Sequence, residues 1–272
     1  MSDTSTRTTE TLHKYTAGLV DTDGNLCFTF YKVSGGFKLR LKFALMTAES
    51  VDKDFRCIKE LHSRYGLGSL VYPARRNNWS PTALWQIQRG NELERFIPHI
   101  AKHMYIKGKH FMRLLETYRS LSGTILDEEQ IRNLKMWSKQ SRTDTGPLKP
   151  KNFPSPAWLA GVIDGDGSLV CSYQNTKKYL KMNLTIAEAV YDLPCLQFIQ
   201  NAWGGRIYRH GGRQVEVYRF DINLGMAYSA RALRLLHAVY PHLRMKKYKA
   251  QQILTAHKQR LSERTSTEEA TV

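Results

Sequence analysis

Hydrophobic and polar residues alternate through residues 37–45, which is the period of a β-strand with one buried face. The odd positions of this run are hydrophobic, and the even positions include Lys38, Arg40 and Lys42. Residues 26–33 alternate in the same way, and a Ser-Gly-Gly turn separates the two runs. The pattern therefore predicts an antiparallel hairpin with one hydrophobic face and one basic face.

The second half of the chain repeats this pattern. Residues 169–173 and 179–187 predict another hairpin, in which hydrophobic even positions alternate with Lys181, Asn183 and Thr185. Each half then continues with a helical stretch, a second hairpin and a final amphipathic helical region that we expect proline to break, near Pro98 and near Pro241. In the first half these are residues 51–65, 69–74 with 83–88, and 92–119; in the second they are 193–202, 206–210 with 214–222, and 226–258.

A short motif heads each half. Residues 17–24 read AGLVDTDG and residues 160–167 read AGVIDGDG, so the two copies begin 143 residues apart. Ser155 and Pro156 form a helix start before the second copy, and the glycine after the last carboxylate is typical of a helix end. Each motif therefore predicts a short apolar helix, and each half reads α-β-β-α-β-β-α.

The repeat divides the chain into two domains. We expect one repeat over residues 10–120, a linker with a short helix over 121–154, and a second repeat over 155–260. The capping box Asp127-x-x-Gln130 opens the linker helix, which should run to about residue 139. Residues 1–9 and 262–272 are polar, and we expect both ends to fray.

The repeated carboxylates indicate chemistry. The small Ala-Gly pair of each motif lets the two helices approach closely, which would bring Asp23 and Asp166 together. Carboxylates at a helix C-terminus oppose the helix dipole and repel one another, and a bound cation would resolve both problems. Mg²⁺ suits such a site because it uses one or two carboxylates plus water and substrate phosphates.

The motif has two other interpretations. A calcium-binding EF-hand loop fails, because Leu19 and Phe30 would occupy the positions that need carboxylates, and the second copy fails in the same way. The alternative that Asp21 and Asp164, or Asp23 and Asp166, merely cap local turns stays open, although the duplication disfavours it.

Charge points to a nucleic-acid partner. The chain has 272 residues and a formal net charge of +17, with a pI near 9.8. A net charge of +13 lies in residues 25–48, 66–91, 168–187 and 203–220, which are the predicted sheets. Such a field favours a polyanion over a small metabolite. No apolar run approaches the roughly 18 residues that a membrane span needs.

Outward strand positions are the candidate DNA contacts. Arginine suits guanine edges and asparagine suits adenine, but any single residue is as readily a phosphate contact. The candidates are Lys38, Arg40, Lys42, Arg75, Arg76, Asn77, Arg89, Lys181, Asn183, Arg206, Arg213 and Arg219.

The paired motifs and the order of elements that follows them resemble the LAGLIDADG homing endonucleases in their single-chain, two-repeat form. The resemblance implies an α+β fold of two pseudo-two-fold related αββαββα domains, whose antiparallel sheets form a DNA-binding saddle. It also implies that Asp23 and Asp166 are metal-binding catalytic acids. The backbone carbonyls of Thr22 and Gly165 would assist at the metal.

Family members also carry a basic residue near the active site, after a proline-containing segment. By resemblance this residue is Lys246 in the second half and Lys107 in the first, with His103 as the alternative to Lys107. Thr47 and Glu188 fall near the position of a polar residue that orients water.

The activity implied is site-specific cleavage of both strands of a long, asymmetric double-stranded DNA target with Mg²⁺, leaving 3′ overhangs. Ca²⁺ should support binding without cleavage. One chain supplies both motif helices, so we expect a monomer. The alternatives are an intron RNA maturase, with intron RNA as a further partner, or a DNA-binding protein that does not cleave. The family resemblance alone implies an intron-encoded, intracellular protein of an organelle (chloroplast or mitochondrion) or a prokaryotic cytoplasm.

Overall fold

A computed structural model describes residues 3–74, 79–144, 154–173, 180–189, 193–211, 216–223 and 229–269. Over these residues, helices and antiparallel strands follow each other in the order that the sequence predicts, once in each half. The predicted fold class, two αββαββα units with antiparallel sheets, is therefore confirmed.

The first half contains the motif helix, two hairpins and three further helices. Its elements are α1 (Asp3–Asp23), β1 (Gly24–Val33), β2 (Gly36–Ala48), α2 (Arg56–Tyr65), β3 (Ser69–Val71), β4 (Thr82–Ile87), α3 (Gly90–Ala101) and α4 (Gly108–Leu121). A single 3-10 turn at Lys53–Phe55 precedes α2. A short strand and a helix lead out of this half; they are β5 (Ile125–Leu126) and α5 (Glu128–Asp144).

The second half repeats the same order. Its elements are α6 (Pro156–Gly165), β6 (Gly167–Tyr173), β7 (Leu180–Ala189), α7 (Leu193–Trp203), β8 (Arg206–His210), β9 (Val217–Asn223), α8 (Ser229–Val239) and α9 (Lys247–Glu269). No helix in the described ranges combines the length and the hydropathy that crossing a membrane requires.

Each half has one antiparallel sheet with a buried face and an open face. The strand orders are β1-β2-β4-β3 and β6-β7-β9-β8, and β5 pairs with the start of β2. Along β2, Leu39, Leu41 and Phe43 are buried under the helices. Lys38 and Arg40 alternate with them on the opposite face, as the period of two predicts.

Several helix boundaries differ from the predictions. The first helix begins at Asp3 and the last runs to Glu269, so neither polar end is frayed over these residues. The final helical region of the first half does not break at Pro98, which lies inside α3. It breaks at residues 102–107, because this turn is held by the carboxylate of Asp21, as described below.

The linker helix confirms its predicted start. The Asp127 backbone N–H donates to Gln130 Oε1 at 2.9 Å, and the Gln130 N–H donates to Asp127 Oδ1 at 2.8 Å. These two bonds are the capping box that the sequence indicates. The helix continues to Asp144, beyond the expected end at about residue 139.

The two motif helices cross at their glycines. A Cβ added at Gly18 would lie 1.9 Å from the Trp158 carbonyl oxygen, and one added at Gly161 would lie 2.1 Å from the Tyr15 carbonyl oxygen. No side chain fits at these distances, so α1 and α6 touch backbone to backbone. This crossing joins the two halves, and the main hydrophobic core is continuous through both of them.

Gly161→Ala tests this contact. The added methyl must push the helices apart, and we expect a loss of about 3 kcal/mol in the free energy of unfolding, despite the better helix propensity of alanine. Chemical denaturation of the whole chain measures it. Gly211→Ala is the matched control, because a Cβ there meets nothing within 4 Å, and we expect a change within about 0.5 kcal/mol. Equal stability of the two variants would show that the helices do not pack this closely.

Candidate active site and nucleic-acid interface

The two motif helices end against each other. Helix α1 ends at Asp23, and α6 ends at Gly165, directly before Asp166. A Cβ added at Gly165 would lie 2.0 Å from Thr22 Oγ1 and 3.1 Å from Asp23 Oδ2. The second motif therefore needs glycine where the first has threonine, and the structure places the two acids at one junction.

The two carboxylates disturb each other's ionisation. Desolvation, followed by repulsion from Asp166, raises the pKa of Asp23 to about 6. Desolvation also raises the pKa of Asp166. The nearby ammonium groups of Lys107 and Lys246 oppose both shifts without cancelling them. Burial therefore makes it costly to keep both carboxylates ionised, and a bound cation would stabilise their ionised forms.

Lys107 and Lys246 close the ends of the two motif helices. Lys107 Nζ donates to the carbonyl oxygens of Val20, Thr22 and Gly24 at 3.3, 2.6 and 2.8 Å. An ammonium group has three N–H donors, and cations favour a helix C-terminus because the dipole is negative there.

Lys246 makes the equivalent contacts in the second half. Its Nζ donates to the carbonyl oxygens of Ile163, Asp164 and Gly165 at 2.7, 2.7 and 3.0 Å. Desolvation lowers the pKa of Lys246, although the neighbouring carboxylates oppose this shift. The two lysines therefore supply part of the positive charge that the helix ends need, a contribution that the sequence analysis did not include.

Two buried carboxylates position the turns that carry these lysines. Asp21 accepts the backbone N–H groups of residues 105–107 at 2.8 to 3.2 Å, and Asp164 accepts those of residues 244–246 at 2.8 to 3.1 Å. Burial raises the pKa of Asp21, and these hydrogen bonds act against that rise. Each carboxylate caps the turn that carries the lysine. This turn lies 80 to 86 residues away in the chain, so the two residues do cap turns, but not the local turns of the alternative interpretation.

The same carboxylates join the two halves. Tyr15 Oη donates to Asp164 Oδ2 at 2.8 Å, and Trp158 Nε1 donates to Asp21 Oδ2 at 2.9 Å. Sequence reasoning missed these two hydrogen bonds between the motif helices. A signal was present, because Tyr15 and Trp158 are separated by the same 143 residues as the two motifs.

The donor set fits a hard divalent cation. Asp23 and Asp166 offer carboxylate oxygens beside the carbonyls of Thr22 and Gly165, and a carbonyl that accepts a lysine N–H keeps a second lone pair. In the described part of the chain, no cluster of three or more His, Cys, Asp or Glu side chains is suited to a metal. The remaining ligands would then be water and phosphate, as Mg²⁺ usually has them.

Two weaker candidates lie elsewhere. His103 interacts with Glu10, Lys14 and His13, and His13 is ten residues before Asp23 in the helix, a distance of about 15 Å. This favours Lys107 over His103. The hydroxyl of Thr47 is buried within 3.5 Å of Asp52 Oδ2, which gives no support to a water-positioning role.

The outer face of the first sheet carries part of the predicted basic surface. Lys38, Arg40 and Lys42 stand in one row on β2, and the Arg40 guanidinium lies over the Tyr31 ring at 4.9 Å. Arg89 is exposed at the start of α3 and pairs with Glu92 at 3.3 Å. Arg75, Arg76 and Asn77 lie outside the described residues.

The outer face of the second sheet carries polar and charged side chains on β8 and β9, and an exposed Val170 on β6. Arg206 faces Asp221 across β8 and β9, and Tyr208 faces Arg219. Tyr208 Oη also donates to Asp221 Oδ2 at 2.5 Å. Sequence reasoning did not select Tyr208 or Asp221. Arg213 and the side chains of Lys181, Asn183 and Glu188 lie outside the described part.

Comparison with known proteins agrees with this arrangement. Residues 159–257 match the family described as LAGLIDADG endonuclease. The structure is similar to that of the LAGLIDADG homing endonuclease I-GzeII in complex with its DNA target, with 15% identity over 90% of this chain and 91% of that chain and a TM-score of 0.64.

Two further structures are similar across both halves. Meganuclease I-AabMI bound to uncleaved DNA is 16% identical over 92% of each chain, with a TM-score of 0.66. The I-SmaMI LAGLIDADG homing endonuclease bound to cleaved DNA is 17% identical over 94% of this chain and 93% of that chain, with a TM-score of 0.64.

The fold and the junction together define a two-repeat protein of the homing-endonuclease architecture. The resemblance to the single-chain LAGLIDADG homing endonucleases is confirmed, by the family match in the second half and by the shared fold across both halves.

Asp164→Asn tests the buried carboxylate. The amide would direct an N–H toward a cluster of N–H and O–H donors, so we expect a loss of about 2 to 4 kcal/mol in the free energy of unfolding. Denaturant unfolding measures it. Asp127→Asn is the control, because asparagine caps a helix as well as aspartate does. A stability for Asp164→Asn within about 0.5 kcal/mol of the unmodified protein would contradict the role assigned to this carboxylate.

Proposed function

We propose that this protein is a site-specific endonuclease that cleaves both strands of a long, asymmetric DNA target. Mg²⁺ is the proposed metal, and the proposed products carry 3′ overhangs. The observation that carries this proposal is the junction of two helix ends, where Asp23 and Asp166 meet beside Lys107 and Lys246. The first strand of each sheet begins directly after one of these acids.

The acids and the lysines of the junction have different proposed roles. Asp23 and Asp166 would hold the metal, helped by the carbonyls of Thr22 and Gly165. When bound, a divalent ion polarises phosphate and lowers the pKa of water. Metal binding needs ionised carboxylates, so the raised pKa of Asp23, about 6, implies weaker metal binding as the pH falls through that value.

The lysines would act mainly through their charge. Their N–H groups are directed at main-chain carbonyls, so each ammonium is held rigidly beside the carboxylates. A fixed positive charge in a partly buried site stabilises the negative charge that develops on phosphate during hydrolysis.

The sheets would hold the DNA. A strand of about 10 residues spans roughly 33 Å, close to one turn of DNA, so each two-stranded ribbon can follow one major groove. The outer residues of the two sheets differ, which predicts an asymmetric target. Because α1 and α6 already pair within one chain, we propose one chain per site.

Asp23→Asn and Asp166→Asn test the catalytic assignment. We expect Mg²⁺-dependent cleavage of duplexes enriched from a randomised DNA library to fall by about 100-fold or more. Binding in Ca²⁺ should stay within about threefold, because the sheets hold the DNA. Asp54→Asn, an exposed acid paired with Arg56, is the control and should cleave normally.

Unimpaired cleavage by both variants would contradict this assignment. Tight binding by the unmodified protein without cleavage in Mg²⁺ would instead favour the non-cleaving alternative.

A salt titration tests the basic faces. If the two sheets neutralise about 8 to 12 phosphates, log K should fall with log salt at a slope of about −7 to −11. Fluorescence anisotropy of the enriched duplex gives the slope and, at saturation, the number of chains per site. A slope shallower than about −3, or two chains per site, would count against the proposed interface.

A further inference from the structure

An apolar patch interrupts the outer face of the first sheet. It consists of Met46 on β2, Leu84 on β4 and Val71 on β3. Leu84 is the register partner of both other residues, so the three side chains stand side by side on one face. Met46 is 53% exposed and Val71 is 37% exposed.

The patch continues the basic row of β2. Met46 lies on the same face as Lys42, four residues further along the strand, which is about 13 Å. A DNA groove that lies along the row from Lys38 to Lys42 would therefore also lie over the patch. This exposed apolar cluster lies beside cations on the surface proposed to bind DNA. Its side chains would be buried best against an apolar group of the DNA.

Major-groove base edges offer one such group. Adenine, guanine and cytosine present hydrogen-bond donors and acceptors there, whereas thymine also presents its C5-methyl. We propose that Met46, Leu84 and Val71 form a specificity site for thymine methyl groups in the half-site read by the first sheet. This inference rests on the proposed DNA-binding function and goes beyond it.

The register places these thymines close to the cleavage position. Gly24, directly after Asp23, pairs with Leu45, the neighbour of Met46. Lys38 lies eight residues from Met46, about 26 Å, and a strand advances nearly as far per residue as DNA does per base pair. The patch therefore reads inner base pairs, and Lys38 reads base pairs roughly eight steps further out.

The second sheet lacks an equivalent patch among its described side chains. Arg206, Tyr208, Arg219 and Asp221 occupy β8 and β9. An exposed Val170 on β6 has Asn183 as its register partner. The inference therefore concerns the half of the target that the first sheet would contact.

Uracil substitution tests the inference directly. Uracil pairs as thymine does and lacks only the C5-methyl group. Duplexes are first enriched with the full-length chain from a randomised library in Ca²⁺. The enriched duplex is then synthesised with uracil at each thymine in turn, and its dissociation constant is measured by anisotropy.

We expect each methyl that contacts the patch to contribute about fourfold in affinity, the value of burying one such group. Two or three adjacent inner positions in one half-site should show this loss. In Met46→Gln and Leu84→Gln, thymine and uracil duplexes should bind within twofold of each other. Met136→Gln is the matched control, because Met136 is similarly exposed on α5, and it should keep the full preference.

Three outcomes would overturn the inference. The first is an enriched target without thymine at the inner positions, and the second is equal binding of thymine and uracil duplexes by the unmodified protein. The third is a self-association that Met46→Gln abolishes while the preference for thymine stays intact. Failure to enrich any duplex would refute the proposed function itself.

Discussion

The close crossing of α1 and α6 is the constraint on which the rest of the structure depends. At Gly18 and Gly161 the helices touch through their backbones, so their C-terminal ends have no freedom to separate. The crossing also lets an aromatic donor from each helix reach a carboxylate of the other. Hydrogen bonds from Tyr15 and Trp158 then make the junction of the two halves a polar network inside a hydrophobic core.

A series of electrostatic contacts connects this crossing to Asp23 and Asp166. The buried carboxylate of Asp164 caps the turn that carries Lys246, and Lys246 returns to the end of the helix from which that carboxylate projects. A negative helix end, a buried anion and a cation thus hold each other within one small volume. Asp166 stands at the edge of this volume, where its charge is only partly compensated.

Much of this fold could be predicted because it depends on local patterns in the sequence. The alternation of hydrophobic and polar residues predicted the hairpins. The duplicated motif predicted two halves and the close approach of Asp23 and Asp166. The break after α3 could not be found locally, because a carboxylate about 80 residues away in the chain holds that turn. Pro98 was a misleading signal, since it lies inside α3. The carbonyl partners of Lys107 were equally hidden, since they depend on how a distant turn docks on a helix end.

The backbone contacts at Gly18 and Gly161 have a consequence for how such a protein can diversify. The spacing between the two acids is set by helix packing, whereas the surfaces that face DNA are set by strand side chains that do not touch the crossing. Under the proposed function, the stagger of the cut and the choice of target are therefore separately encoded. Residues such as Met46 or Arg40 can change to address a new sequence, and the geometry of the cut stays the same.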